Sequence, residues 1–140
     1  MTASVQAKFR KARVARMATV DRDGRPHVVP VCFAYDGHAF YTALDLKPKR
    51  VSPQTLARVR HIRANPNVAL LLDDYREDWG RLWYIMVRGT ARLLHNDEQE
   101  QRRAHGLLKD KYPQYAAGLL PDEAPIIQIV PSRIIPWGKL

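Results

Sequence analysis

Apolar residues recur three to four apart at Val5, Phe9 and Ala12, the spacing of a short basic helix over residues 5–13. Residues 13–20 (RVARMATV) read as a strand, and the turn after it is Asp21-Arg22-Asp23-Gly24. Residues 25–35 form the returning arm. Val29, Val31, Phe33 and Tyr35 share one face and Val28, Pro30, Cys32 and Ala34 the other, so both faces are apolar and the arm is expected to be covered on both sides. Pro30 cannot donate to a ladder and marks an edge or a bulge. Asp36-Gly37 is a hairpin signal leading into a strand over His38–Ala43.

A helix is predicted from Pro53 to Ala64, with Ser52 as its N-cap, Leu56, Val59 and Ile62 facing inward, and Arg58, Arg60 and Arg63 in water. Asn65-Pro66 ends it. Residues 67–73 (NVALLLD) are a buried strand, and 74–81 a polar loop around Trp79 and Gly80. The run Leu82–Leu94 is a long strand with Trp83, Ile85, Val87, Gly89, Ala91 and Leu93 on its apolar face, and Gly89 predicts a bulge or kink. Asn96 is expected to cap a third helix, with Ala104, Leu107 and Leu108 inside. Residues 112–120 are irregular or briefly helical, and a final strand runs from Ala124 to about Trp137 through Pro131 and Pro136.

The order is helix, three strands, helix, two strands, helix, strand. Strands joined by tight turns pair antiparallel, and about six of them with helices between groups predict an α+β fold: a six-stranded antiparallel barrel, closed or split, with flanking helices. The 140 residues suit one domain with a core of its own, spanning residues 1–140. No run of apolar residues is long enough for a membrane helix, the N-terminal region lacks an apolar secretory core, and the single cysteine excludes an internal disulfide. The cytoplasm is the expected location.

Charge changes the picture. Residues 1–63 carry 13 Lys/Arg against 4 Asp/Glu, whereas residues 64–140 carry 10 of each, so the whole net charge of +9 lies in the first half. Such a field attracts anions, and a phosphorylated cofactor, a polyanion or a merely solvated face would each account for it. There is no GxGxxG after a strand, no P-loop, no HExxH or paired histidine spacing for a metal, and no serine nucleophile elbow. Cys32, alone in a strand, reads as a small core residue. If this is an enzyme, a cofactor carries the reaction.

One constellation remains. Lys47-Pro48-Lys49-Arg50 stands between a strand ending in Tyr41-Thr42 and a helix N-terminus, where three cations and free backbone N–H groups can meet one phosphate. Arg16 and the Thr19 and Thr42 hydroxyls could add donors. Trp79, Trp83 and Trp137 read first as core or dimer packing, and in the second place as a wall for a planar ring.

Arg16-Met17-Ala18-Thr19-Val20, His27-Val28-Val29-Pro30-Val31, Phe40-Tyr41-Thr42-Ala43, Lys47-Pro48-Lys49-Arg50, Leu56 to Pro66, and Asp78-Trp79 through Leu82-Trp83 to Gly89-Thr90-Ala91 stand in an order that resembles the pyridoxamine-phosphate-oxidase-like split-barrel flavin family. The subgroup that uses the deazaflavin coenzyme F420 is the most similar. The resemblance runs from about Arg13 to Trp137. It implies a homodimer with two cofactors, F420 or FMN, in grooves between the subunits. It also implies that Arg16, Met17, Ala18 and Thr19 line the ribityl chain and ring edge, and that Val29, Pro30 and Val31 pack beside the ring. Tyr41 and Thr42 would flank the phosphate, Lys49 with Lys47 or Arg50 would bind it, and Trp79 and Arg81 would approach from the partner subunit. The Ser-Arg-Lys phosphate motif of the flavin-phosphate oxidases is replaced here by Lys-Pro-Lys-Arg, and their Arg-x-His substrate motif has no counterpart before Gly138-Lys139-Leu140, so oxidation of vitamin B6 is not expected.

The expected function is hydride transfer between F420 (or FMN) and a small organic substrate. The alternative is a non-catalytic barrel carrying FMN, F420 or haem, for which His27, His38 or His61 would supply the axial ligand. Nucleic-acid binding through Arg10, Lys11, Arg13, Arg58, Arg60 and Arg63 lacks a reading motif, and neither nucleic acid nor membrane is an expected partner. Tyr41, Tyr84 or a water could donate a proton; the sequence marks no catalytic residue.

Overall fold

The computed structural model describes residues 2–44, 53–94 and 98–140, with the backbone alone for 53–56. Lys47, Lys49, Arg50, Ser52 and Asn96, which carry the expected phosphate cluster and two helix caps, lie outside the described residues.

Helix α1 (Ala3–Lys11) starts at Thr2, whose side chain accepts from the Val5 N–H, and its apolar spacing buries Val5 and Phe9. Strands β1 (Ala15–Val20) and β2 (Pro26–Val31) form the first hairpin, β3 (Ala34–Tyr35) and β4 (Phe40–Ala43) the second. Helix α2 (Pro53–Ala64) follows, with Pro53 in its first turn as the sequence predicts, then β5 (Asn67–Asp74) and β6 (Trp83–Leu94). Helix α3 (Gln99–Lys111) and a short irregular helical turn at Tyr115–Leu119 precede β7 (Ile126–Gly138).

All described strands join one antiparallel sheet in the order β2-β1-β5-β6-β7-β4-β3. The expected count of six is corrected to seven. The arm read as one strand over 25–35 breaks at Cys32-Phe33, where the Tyr112 hydroxyl accepts from the Phe33 N–H and reaches the Phe33 carbonyl oxygen, so side-chain bonds replace the ladder. The sheet is a curled half-barrel with flanking helices, of the α+β class. Gly24, at φ +82°, closes the first hairpin beneath the Asp21–Arg25 backbone bond.

The sheet curls around the larger core, where Phe9 of α1 and Ile62 of α2 meet Met17, Leu70, Leu72, Ile85, Val87 and Ile129. A second core under α3 holds Tyr41, Ala104, Leu108 and Ile126. The bend between Arg88 and Gly89 is the bulge that the sequence anticipates: the β6–β7 register slips there, and a Cβ on Gly89 would lie 2.6 Å from the Val130 carbonyl oxygen. Among the described residues nothing covers the second face of β2: Val28 is 63% exposed and Pro30 is exposed beside it.

Candidate functional site

The β1–β2 register divides the expected cofactor residues between two faces. Arg16 pairs with Pro30 and Ala18 with Val28, and these four look outward. Met17 pairs with Val29, and Ala15 with Val31; Met17 and Val31 are core residues and Val29 packs against the core. Arg16 and Pro30 are therefore open to a ligand through their side chains, while Met17 and Val31 can offer one only their backbone.

Outward rows of side chains continue across the sheet. Arg16 is opposite Leu71 on β5, which is opposite Met86 on β6, which is opposite Ile135 on β7. Two residues along, roughly 7 Å at strand rise, Asp73, Tyr84 and Trp137 form the next row. Arg16 reaches across to that row, with Nη1 donating to Asp73 Oδ1 at 2.8 Å; both side chains stay about half exposed. Tyr84 and Trp137 stack with centroids 5.4 Å apart and planes 16° from parallel. They border a cavity of about 340 Å³.

Thr19 points inward instead. It is buried, and its hydroxyl is 2.9 Å from His61 Nδ1 on α2, a hydrogen bond that pins the helix to the sheet. The His27 ring lies 4.3 Å from the His61 ring, and His27 Nε2 is 3.4 Å from Asp21 Oδ2. Burial first, then the neighbouring His27 and, least of all, Arg60 hold His61 below the usual imidazole pKa, while Asp21 pulls the other way. Asp21 itself is lowered by the Arg25 backbone N–H it accepts. The sequence offers no spacing signal for His61.

Tyr41 and Thr42 are both buried. The Tyr41 hydroxyl donates toward Asp36 Oδ2 at 3.1 Å and Glu100 Oε1 at 3.3 Å, and accepts from Arg103 at 3.1 Å, so it belongs to a polar network under α3. Burial opposes the Asp36 charge, but the Ala39 and His38 N–H groups and Arg103 outweigh it and bring its pKa to about 2. Trp79 and Arg81 form a 3₁₀ turn between β5 and β6, capped by the Asp78 carboxylate. Trp79 is 72% exposed, with its indole N–H 3.4 Å from the Tyr75 hydroxyl. Arg81 is exposed as well. No cluster of three metal-binding side chains occurs among the described residues.

The profile of the pyridoxamine 5'-phosphate oxidase family matches residues 1–137. The chain belongs to that family. A curated relative, the 5a,11a-dehydrotetracycline/5a,11a-dehydrooxytetracycline reductase of Streptomyces rimosus, is 32% identical over 127 residues, 88% of this chain and 72% of its own. Among solved structures, the haem storage protein HutZ of Vibrio cholerae superposes with a TM-score of 0.75 at 15% identity, covering 97% of this chain and 92% of its own. An F420 reductase superposes with a TM-score of 0.63 at 23% identity, covering 93% and 94%. At such identities the two structures share the fold with this family member. No helix among the described residues is long and apolar enough to cross a membrane.

Proposed function

We propose that the protein is an oxidoreductase that binds F420, or FMN in its place, and passes hydride to or from a small organic substrate. It works in the cytoplasm as a homodimer with the cofactor between subunits. The observation that carries this reading is Arg16: a half-exposed guanidinium on an outward sheet face, tied to a single half-exposed carboxylate that it can exchange for a phosphate. The sequence places Lys47, Lys49 and Arg50 immediately before α2, and the reductase relative supports the reaction class.

The donor set fits an anionic, ring-bearing cofactor. Guanidinium and ammonium groups suit its phosphate, and the apolar outward residues Ala18, Val28 and Pro30 suit its ring. When bound, the cofactor supplies the hydride chemistry. Arg16 and the basic segment bind and orient it, Ala18 and Pro30 exclude water from one side, and Trp79 and Arg81 are free to close over it from a second copy. The His61–Thr19 bond fixes α2 against β1.

Equilibrium titration with F420 and with FMN, followed by absorbance, tests the reading. Tight binding of one is expected, and Arg16→Ala or Lys49→Ala should weaken it by about 1.5–3 kcal/mol, roughly ten- to 150-fold. No binding of either cofactor would refute it. The haem-carrier alternative has the fold likeness to HutZ behind it. His61 is committed to Thr19 and His38 stands exposed in the β3–β4 turn, away from the β1–β2 face, so the half-exposed His27 is the imidazole to test there, by a Soret band lost in His27→Ala.

A further inference from the structure

Two of the three tryptophans, Trp79 and Trp137, stand exposed at one end of the outward sheet face, while Trp83, on the inward side of β6, packs against the core. The cavity there, about 340 Å³, is walled by Leu71, Tyr75, Leu82, Trp83, Tyr84 and Trp137, with Asp73 and Asp74 at its edge. Trp79 joins through its bond to the Tyr75 hydroxyl. Five large apolar or aromatic side chains are exposed here together: Leu71, Tyr75, Trp79, Tyr84 and Trp137. Scattered single exposures are ordinary, whereas an apolar cluster of this kind along an open groove marks an interaction site.

The chemistry of the walls narrows the ligand. Tyr84 and Trp137 are already parallel, so a flat ring can extend the stack at no cost in side-chain ordering. Asp73 and Asp74 are each held by an arginine, Arg16 at 2.8 Å and Arg76 at 2.9 Å. The lone pairs that these arginines leave open can accept from hydroxyl groups of a ligand. Asp73, Tyr84 and Trp137 are cross-strand neighbours, one outward row from Arg16.

We infer that this aromatic cavity is the substrate site, and that it takes planar, fused-ring compounds bearing hydroxyl groups. The inference rests on the oxidoreductase reading, since Arg16 of the cofactor site and Asp73 of the cavity are one ion pair. Tyr84 and Trp137 hold the ring plane, and Asp73 and Asp74 set its direction. A ligand seated there lies beside a cofactor held at Arg16.

Intrinsic fluorescence reads the site directly, because Trp83 and Trp137 line it and Trp79 adjoins it. The full chain, without cofactor, is titrated with 2,6-dihydroxyanthraquinone. Saturable quenching is expected, with a dissociation constant raised threefold or more in Trp137→Ala and in Tyr84→Ala and largely restored in Trp137→Phe. Circular dichroism identifies a variant that has not folded; the remaining two then decide. Absence of saturable quenching, or quenching equal in wild type and folded variants, overturns the inference. So does quenching that appears only in variants that no longer self-associate, which assigns this face to a second copy of the chain. Cofactor binding is measured separately. Loss of F420 and FMN binding with anthraquinone binding intact fails the cofactor reading alone, and the reverse result fails this inference alone.

Discussion

Arg16 and Asp73 form an ion pair of 2.8 Å between β1 and β5, and it joins the row of side chains offered to a cofactor with the row offered to a substrate. The pair is half exposed, so it contributes on the order of 0–1 kcal/mol to stability. Its removal from the carboxylate side frees Arg16 for phosphate. Asp73→Asn is expected to tighten F420 or FMN binding by up to about fivefold while moving the melting temperature little, as equilibrium titration and thermal denaturation would measure. Weaker binding in that variant would mean that Asp73 orients Arg16 instead of competing for it.

Gly89 sits where the β6–β7 ladder slips, with no room for a methyl group before the Val130 carbonyl. Gly89→Ala is expected to cost about 1–3 kcal/mol in denaturant unfolding. Gly24→Ala meets no neighbouring atom and suffers only from its positive φ, so about 1 kcal/mol is expected. Equal losses at the two sites would contradict the close approach at the bulge.

His61 is buried and titrates below the ordinary imidazole value of 6.5. The unfolded chain therefore binds a proton more readily than the folded one, and stability that is complete above about pH 6.5 falls as the pH drops through and below it. The melting temperature is expected to decline between about pH 7 and pH 5. His61→Gln can keep a bond to Thr19 without titrating, and should flatten that decline. Asp21, lowered from 3.8, acts only in a more acidic window and does not confuse the result.

Lys111 ends α3 with Nζ buried 3.9 Å above the Phe33 ring and no hydrogen-bond acceptor among the described residues. Burial, with Arg13 nearby, brings its pKa down to about 8. A lowered lysine costs stability wherever the unfolded chain carries the charge, so stability should rise from about pH 8 to 10.5. Lys111→Met should remove that rise and stabilise the protein at pH 7 by about 1 kcal/mol, allowing for the partial exposure of the side chain and the lost ring contact.

Periodicity made most elements legible. Alternation along Trp83–Leu93 gives the inward face of β6, Pro53 and Asn65-Pro66 bound α2, and Gly89 marks the bulge. The break at Cys32-Phe33 was hidden because the bonds that cause it come from Tyr112, 79 residues away in sequence. At the candidate site, residue types were readable and directions were not. Thr19 and Tyr41 look like donors for a ligand, yet their hydroxyls answer to His61 and to Asp36 and Arg103. Trp137 and Tyr84 are 53 positions apart, and only the β6–β7 register makes them one stack.

Among the described strands, the β3–β4 hairpin joins the rest of the sheet only through β7, which begins at Ile126, some eighty residues after Ala43. The β3–β4 hairpin emerges early during synthesis and then waits with one edge bare. Until β7 arrives, Phe40 and Tyr41 have no finished wall to pack against. Translation speed, chaperone contact and aggregation should all be most consequential in that interval, well before any cofactor can be held.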